Sequence, residues 1–180
     1  MDTEVVLILG GARSGKSLFA QRLASQLGER VLFVATATPM DEEMERRIEL
    51  HRQRRPDTWR TVESRTGVAA AINDHLGDAE VVVLDCLSLL VSNVMEQAGD
   101  PDDIDAVENE IAEELRQLLD RDEATLIIVS NEVGMGVVPA YPSGRAFRDL
   151  LGRANQLVAE RADRVYFLIA GIARELKGKG

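Results

Sequence analysis

Glu4-Val-Val-Leu-Ile-Leu-Gly-Gly-Ala-Arg-Ser-Gly-Lys-Ser17 is an apolar run that breaks into glycines and closes on a lysine and a hydroxyl. Its first six residues read as a short strand buried on both faces, because the apolar residues follow one another without polar alternation. Gly10 to Gly15 cannot continue a strand. From Lys16 to Leu27 the apolar residues Leu18, Phe19, Leu23 and Leu27 fall at helical spacing, and Gly28 ends that helix. Residues 30–35, with Val31, Leu32, Phe33 and Val34, read as a second strand. The chain thus opens as strand, glycine loop, helix, strand, which is a βαβ unit.

Inside that unit Gly10, Gly11, Ala12, Arg13, Ser14, Gly15, Lys16 and Ser17 complete the pattern G-x-x-x-x-G-K-[ST] in its strand-to-helix setting. The residue types follow from the chemistry. Glycines let the backbone curl so that successive N–H groups point inward at phosphate oxygens. The helix that follows aims its positive end at the same place. Lys16 is then expected on the β- and γ-phosphates of a nucleoside triphosphate, and the Ser17 hydroxyl on magnesium.

Further along, the pattern predicts helices over residues 41–54, 66–76, 103–119 and 146–159, with strands over 80–84, 124–129 and 164–169, the last being the final clear strand. His75 falls at the end of the second of these helices and is assigned no role. Residues 133–144, with two prolines, read as the longest irregular stretch after the central strands. Strands alternating with helices and no linker or repeat predict one α/β domain over 1–180, with a mostly parallel sheet flanked by helices. Ligands of such folds bind at the carboxyl ends of strands, where Gly10–Ser17, Asp85 and Ser130-Asn-Glu132 should converge. Asp85, closing four apolar residues, fits a magnesium-holding acid beside a phosphate loop; capping of a following helix is the other reading.

Composition narrows the setting. Apolar residues are 45% and aromatics 4%, so the core is built from aliphatic side chains, as suits a helix-covered parallel sheet. The formal net charge of −10 argues against nucleic acid or anionic lipid as partners. It is read as a solubility feature, with a salty habitat as the other explanation. Cys86 is the single cysteine, so neither an intramolecular disulfide nor an all-cysteine zinc site is possible, and a reducing cytoplasm is expected. No leader-like segment is read, and no apolar run approaches the roughly 20 residues of a membrane span.

Two kinds of phosphate-loop protein are disfavoured. The Asn-Lys-x-Asp element of a guanine switch is missing where the chain reads Ser130-Asn-Glu-Val133, and no arginine-rich lid follows Glu132. His51 stands out instead. It shares a helical face with Met44 and Ile48 and precedes Arg52, Gln53, Arg54 and Arg55, a basic cluster in an acidic protein. A neutral histidine can attack phosphorus, and arginines can neutralise the approaching phosphates. Spacing alone favours the plainer reading, a half-buried histidine beside a solvated arginine face.

The glycine loop, Ala35-Thr-Ala37 with Asp41-Glu-Glu-Met44, Arg47-Ile48 through His51, and Arg55-Pro56 with Trp59-Arg-Thr-Val-Glu63 resemble one family. So do Leu84-Asp-Cys-Leu87, Asn131-Glu-Val-Gly-Met-Gly-Val-Val-Pro139 and Phe147-Arg-Asp-Leu-Leu-Gly-Arg153. Taken in order over nearly the whole chain, they resemble the bifunctional adenosylcobinamide kinase/adenosylcobinamide-phosphate guanylyltransferases. The resemblance implies a RecA-like fold, a homotrimer, and two reactions of cobalamin assembly using ATP or GTP with magnesium. The first phosphorylates adenosylcobinamide, and the second passes GMP from GTP to that phosphate through a guanylylated histidine. The histidine would be His51, which reverses the plainer reading. Guanine-nucleotide contacts would fall on the glycine loop, Ala35, Thr36, Ala37, Arg52, Gln53, Arg54, Arg55, Glu63 and Asp85.

Two departures accompany the match. Some relatives have adjacent histidines where this chain has Leu50-His51, and the second is the one matched. The ending from Gly171 to Lys177 is more polar than the family's apolar one. Because kinase chemistry needs the γ-phosphorus and guanylyl transfer the α-phosphorus, residues 41–55 are expected to move on the hinge-like Thr38-Pro39 when GTP binds. The rival readings are a plain small-molecule kinase with His51 structural, marked by kinase activity without a GMP adduct, and a nucleotide-sensing module without turnover. The loop 133–144 is a candidate for the corrinoid.

Overall fold

The computed structural model describes residues 3–37, 46, 55–98 and 103–178. Apart from Arg46, the helix expected over 41–54, with His51, Arg52, Gln53 and Arg54, and the Thr38-Pro39 hinge lie outside the described residues. In chain order the elements are β1 (Val5–Gly10), α1 (Lys16–Leu27), β2 (Val31–Ala35), β3 (Arg60–Glu63), α2 (Val68–His75) and β4 (Val81–Asp85). There follow α3 (Leu87–Gln97), α4 (Ile104–Leu119), β5 (Thr125–Asn131), α5 (Pro142–Arg161), β6 (Arg164–Ile169) and β7 (Ile172–Lys177).

The strands form one seven-stranded sheet in the order β3-β2-β4-β5-β1-β6-β7. All neighbours are parallel except β6 and β7. Alternation along each strand divides the core. Val6, Ile8, Phe33, Val83, Ile127 and Val129 pack with Ala20, Leu23 and Ala24 of α1. Leu7, Leu32, Val82, Leu84, Leu126 and Ile128 pack on the other face with α2, α3, α4 and α5. Burial on both faces explains why the central strands read as unbroken apolar runs.

Three elements exceed the sequence reading. Strand β3 has three exposed residues of its four, and so carries no hydrophobic signal. Helix α3 starts straight after β4, with Cys86 at its N-cap and no side-chain cap bond, so its apolar residues merge with the strand run. That position also removes helix capping as a role for Asp85. Beyond β6, the expected last strand, the chain turns through Ala170 (φ 51°) and Gly171 (φ 80°) into the antiparallel β7. Paired positive φ values suit the tight turn of a two-residue hairpin. Helix α5 begins at Pro142 rather than at residue 146, with proline in the first turn where its missing N–H costs nothing. His75 does end α2, with its Nδ1 2.9 Å from the Ala71 carbonyl oxygen.

Candidate active site

Strand register collects the polar clusters at one edge. Ala35 pairs with Asp85 and with Glu63, so three expected residues stand in one row across β3, β2 and β4. Gly10 pairs with Asn131 and with Leu168, forming a second row across β5, β1 and β6. Asp85 pairs with Val129, two residues short of Asn131. Neighbouring strands lie about 4.8 Å apart, so Asp85, two strands from β1, is offset from it by roughly 10 Å across the sheet. By alternation Gly10, Asp85 and Asn131 continue the α1-facing positions of their strands.

The glycine loop is shaped by close backbone contacts. Gly10 has φ 156°, and a Cβ there would lie 2.5 Å from the Leu168 carbonyl oxygen and 2.7 Å from Ser14 Oγ. Arg13 has φ 57° and Gly15 has φ 97°, which curl the loop into α1. The β6–β7 turn braces it: Gly171 N donates to the Ser14 carbonyl at 2.9 Å, and a Cβ on Gly15 would sit 3.3 Å from Gly171 Cα. The polar tail thus supports the loop, a role with no signal in its residue types. Lys16 is buried, with Nζ donating to the Gly11 carbonyl at 2.6 Å, so its ammonium lies over the loop. Ser14 Oγ is buried and has no hydrogen-bond partner among the described residues. First-turn amides of α1 have no intrahelical acceptor, as at any helix start. A phosphate oxygen is the acceptor these groups suit.

Asp85 and Ser17 are both partly exposed, and among the described residues neither side chain makes a hydrogen bond or ion pair. A carboxylate and a hydroxyl at one edge are the hard oxygen donors that fit magnesium. Behind Asp85 the backbone is fixed by Thr36, whose Oγ1 donates to the Cys86 carbonyl and accepts from Cys86 N, each at 2.8 Å. Thr36 N donates to the Asp85 carbonyl and its own carbonyl accepts from Asn93 Nδ2. All its polar groups are engaged, so Thr36 holds the Asp85 segment in place. Burial pushes the Cys86 thiol above its ordinary range, the Asp85 charge adds to that, and a contact with Ser88 and the Lys16 charge oppose it. The thiol is protonated at neutral pH and is no nucleophile.

A polar chain continues from there. Cys86 Sγ lies 3.1 Å from Ser88 Oγ, which accepts from Asn131 Nδ2 at 2.9 Å. The Asn131 carbonyl accepts from Asn155 Nδ2 at 3.1 Å, and Asn155 Oδ1 accepts from Ser130 Oγ at 2.6 Å. Glu132 N donates to the Gly10 carbonyl, while its carboxylate accepts from Gly134 N and Met135 N. The Ser130-Asn-Glu132 cluster was legible, but Ser88 and Asn155 had no mark in the sequence. Arg55 stacks its guanidinium 3.5 Å over the Phe33 ring and donates to Thr61 Oγ1. It therefore sits beside mid-strand β2, two residues back from Ala35. Glu63 is exposed at the end of β3. Four strand spacings, roughly 19 Å, separate β3 from β1.

A loop of amides at a strand–helix junction, with an acid two strands away and one strand between, defines a P-loop nucleotide-binding protein with a RecA-like sheet. The chain belongs to the cobinamide kinase / cobinamide phosphate guanyltransferase family, whose model matches residues 6–176. It is therefore an enzyme of the kinase and nucleotidyltransferase kind. It is 41% identical to the bifunctional adenosylcobalamin biosynthesis protein CobU of Escherichia coli (strain K12), covering 96% of this chain and 99% of that protein. It is 43% identical to the bifunctional adenosylcobalamin biosynthesis protein CobP of Pseudomonas aeruginosa, covering 96% and 97%. It is 38% identical to the CobU protein of Salmonella typhimurium, covering 96% and 99%. No helix among the described residues is long and apolar enough to cross a membrane.

Proposed function

We propose that this protein phosphorylates the aminopropanol hydroxyl of adenosylcobinamide with a nucleoside triphosphate, then transfers GMP from GTP to the new phosphate through a guanylylated His51. The observation that carries this reading is the Gly10–Ser17 loop at the same sheet edge as Asp85, in a chain of this family. Lys16 and the first-turn amides of α1 hold the β- and γ-phosphates, and Ser14 Oγ gains the acceptor it lacks. Ser17 and Asp85 hold magnesium, which when bound neutralises charge on the phosphate oxygens. In the kinase reaction the acceptor hydroxyl attacks the γ-phosphorus and the nucleoside diphosphate departs.

In the second reaction the neutral His51 imidazole attacks the α-phosphorus of GTP. The nitrogen–phosphorus bond forms as the bond to the bridging oxygen breaks and pyrophosphate leaves. An oxygen of adenosylcobinamide phosphate then displaces the imidazole from the same phosphorus. Ala35, Ala37, Glu63 and the arginines 52, 54 and 55, with Gln53, contact the guanine nucleotide; of these, Ala35 and Glu63 end β2 and β3. The enzyme works in the cytoplasm as a homotrimer, for which Ile169, Ile172 and Leu176 offer exposed apolar surface.

Separate assays of the two half-reactions test the division of labour. Lys16→Ala should lower both by at least about 100-fold, as loss of a charge-stabilising group does. His51→Ala should keep phosphorylation near the unmodified level and abolish guanylyl transfer. Equal loss of both in a folded His51→Ala protein contradicts this division of labour.

A further inference from the structure

We propose that Asn131 is a catalytic residue of the kinase half-reaction, its carboxamide oxygen accepting the hydrogen of the attacking hydroxyl. The inference rests on the functional reading above. Asn131 ends β5, the one strand between the glycine-loop strand β1 and the Asp85 strand β4. It pairs in register with Gly10, and alternation puts it on the same sheet face as Gly10 and Asp85. A group placed there looks onto the space between the phosphate loop and the magnesium-holding acid, where the γ-phosphoryl group must meet its acceptor.

One hydrogen bond anchors the carboxamide. Nδ2 donates to Ser88 Oγ at 2.9 Å, and the backbone carbonyl is held by Asn155 Nδ2. Oδ1 has no partner among the described residues. An amide oxygen only accepts hydrogen bonds. It is repelled by phosphate oxygens and suited to a neutral hydroxyl. The neighbouring carboxylate is engaged elsewhere, since Glu132 receives Gly134 N at 2.7 Å and Met135 N at 3.2 Å and so shapes the turn that follows. Beyond that turn Met135, Val137, Val138 and Tyr141 are exposed, an apolar approach for a bulky acceptor.

In the step itself, the hydroxyl oxygen bonds to the γ-phosphorus as the bond to the β,γ-bridging oxygen breaks. The bonding electrons leave with the nucleoside diphosphate. The hydroxyl proton, directed by Asn131 Oδ1 until bond formation is advanced, passes to an oxygen of the transferred phosphoryl group and on to solvent. Guanylyl transfer has no such hydroxyl, because its acceptor is already a phosphate. Asn131 therefore acts in one half-reaction only.

The test is kinetic, on the full-length protein, with cobinamide as kinase substrate and cobinamide phosphate as guanylyl acceptor. Asn131→Ala should lower kcat for phosphorylation by ~100-fold, the scale of a lost orienting contact, and leave nucleotide affinity and guanylyl transfer within a few-fold of unmodified protein. Ser88→Ala, which frees the carboxamide but keeps its oxygen, should show a smaller loss confined to the same half-reaction, and remains informative if Asn131→Ala does not fold. Equal losses in both half-reactions, or weakened nucleotide binding, would make Asn131 part of the shared phosphate scaffold and overturn the proposal. Unmodified protein that performs neither reaction would overturn the functional reading itself.

Discussion

Gly10 shows how little latitude the loop allows. With the Leu168 carbonyl 2.5 Å from any Cβ placed there, a side chain must push the loop away from β6 or shift that backbone. Gly10→Ala should cost about 1–3 kcal/mol of stability, the range for overpacking, measurable by urea unfolding. It should also weaken nucleotide binding at least tenfold by isothermal titration, as the loop amides move off their phosphate positions. Unchanged affinity would mean that the loop tolerates another shape. Residue types made the loop and Asp85 legible, because glycines, lysine and a strand-end acid have few other uses in that order. Thr36 was legible as part of a motif but not in its task, since its hydroxyl bridges to Cys86, 50 residues away in sequence. Such contacts depend on strand order, which local spacing does not encode.

Among the elements, those that were read from sequence are buried on both faces or one face, and those that were missed lie at edges or run into a neighbour. Strand β3 and strand β7 are the two edges of the sheet, so their solvent-facing residues dilute the apolar pattern. The turn between α1 and β2 shows how the starts of two interior strands are fastened together. Glu80, just before β4, accepts from Glu29 N at 3.0 Å, from Arg30 N at 3.2 Å and from the Arg30 guanidinium at 2.6 Å. The Arg30 and Glu29 amides hold its carboxyl below the ordinary value of 4.5. A depressed folded-state value means that the carboxylate stabilises the fold fully above the unfolded value, and that this contribution is lost as pH falls through the folded one. Glu80→Gln should therefore be less stable than the unmodified protein at pH 6 and converge with it in more acidic solution. A gap that stays constant across that range in urea melts would assign Glu80 no titrating role.

For the whole molecule, the sheet order sets the spacing of the candidate site. Strand β5 holds Asp85 and the glycine loop apart, and Asn131 lies at the end of that spacer. The row Ala35, Glu63 and Asp85 extends away from the loop on one side, while the β6–β7 hairpin supports it from the other. With a net charge of −10, the long-range field opposes an incoming nucleotide, so the proposed binding must rest on local groups such as Lys16 and the helix start. In the proposed scheme the two half-reactions differ in which phosphorus is attacked and by what. The most direct test is incubation with GTP labelled on the α-phosphate, followed by assay for protein-bound label that survives alkali and is lost in acid. Label retained in the unmodified protein and absent from His51→Ala is the outcome predicted here. No adduct from a folded, nucleotide-binding preparation would contradict the guanylyl-histidine route and leave the glycine loop serving a kinase alone.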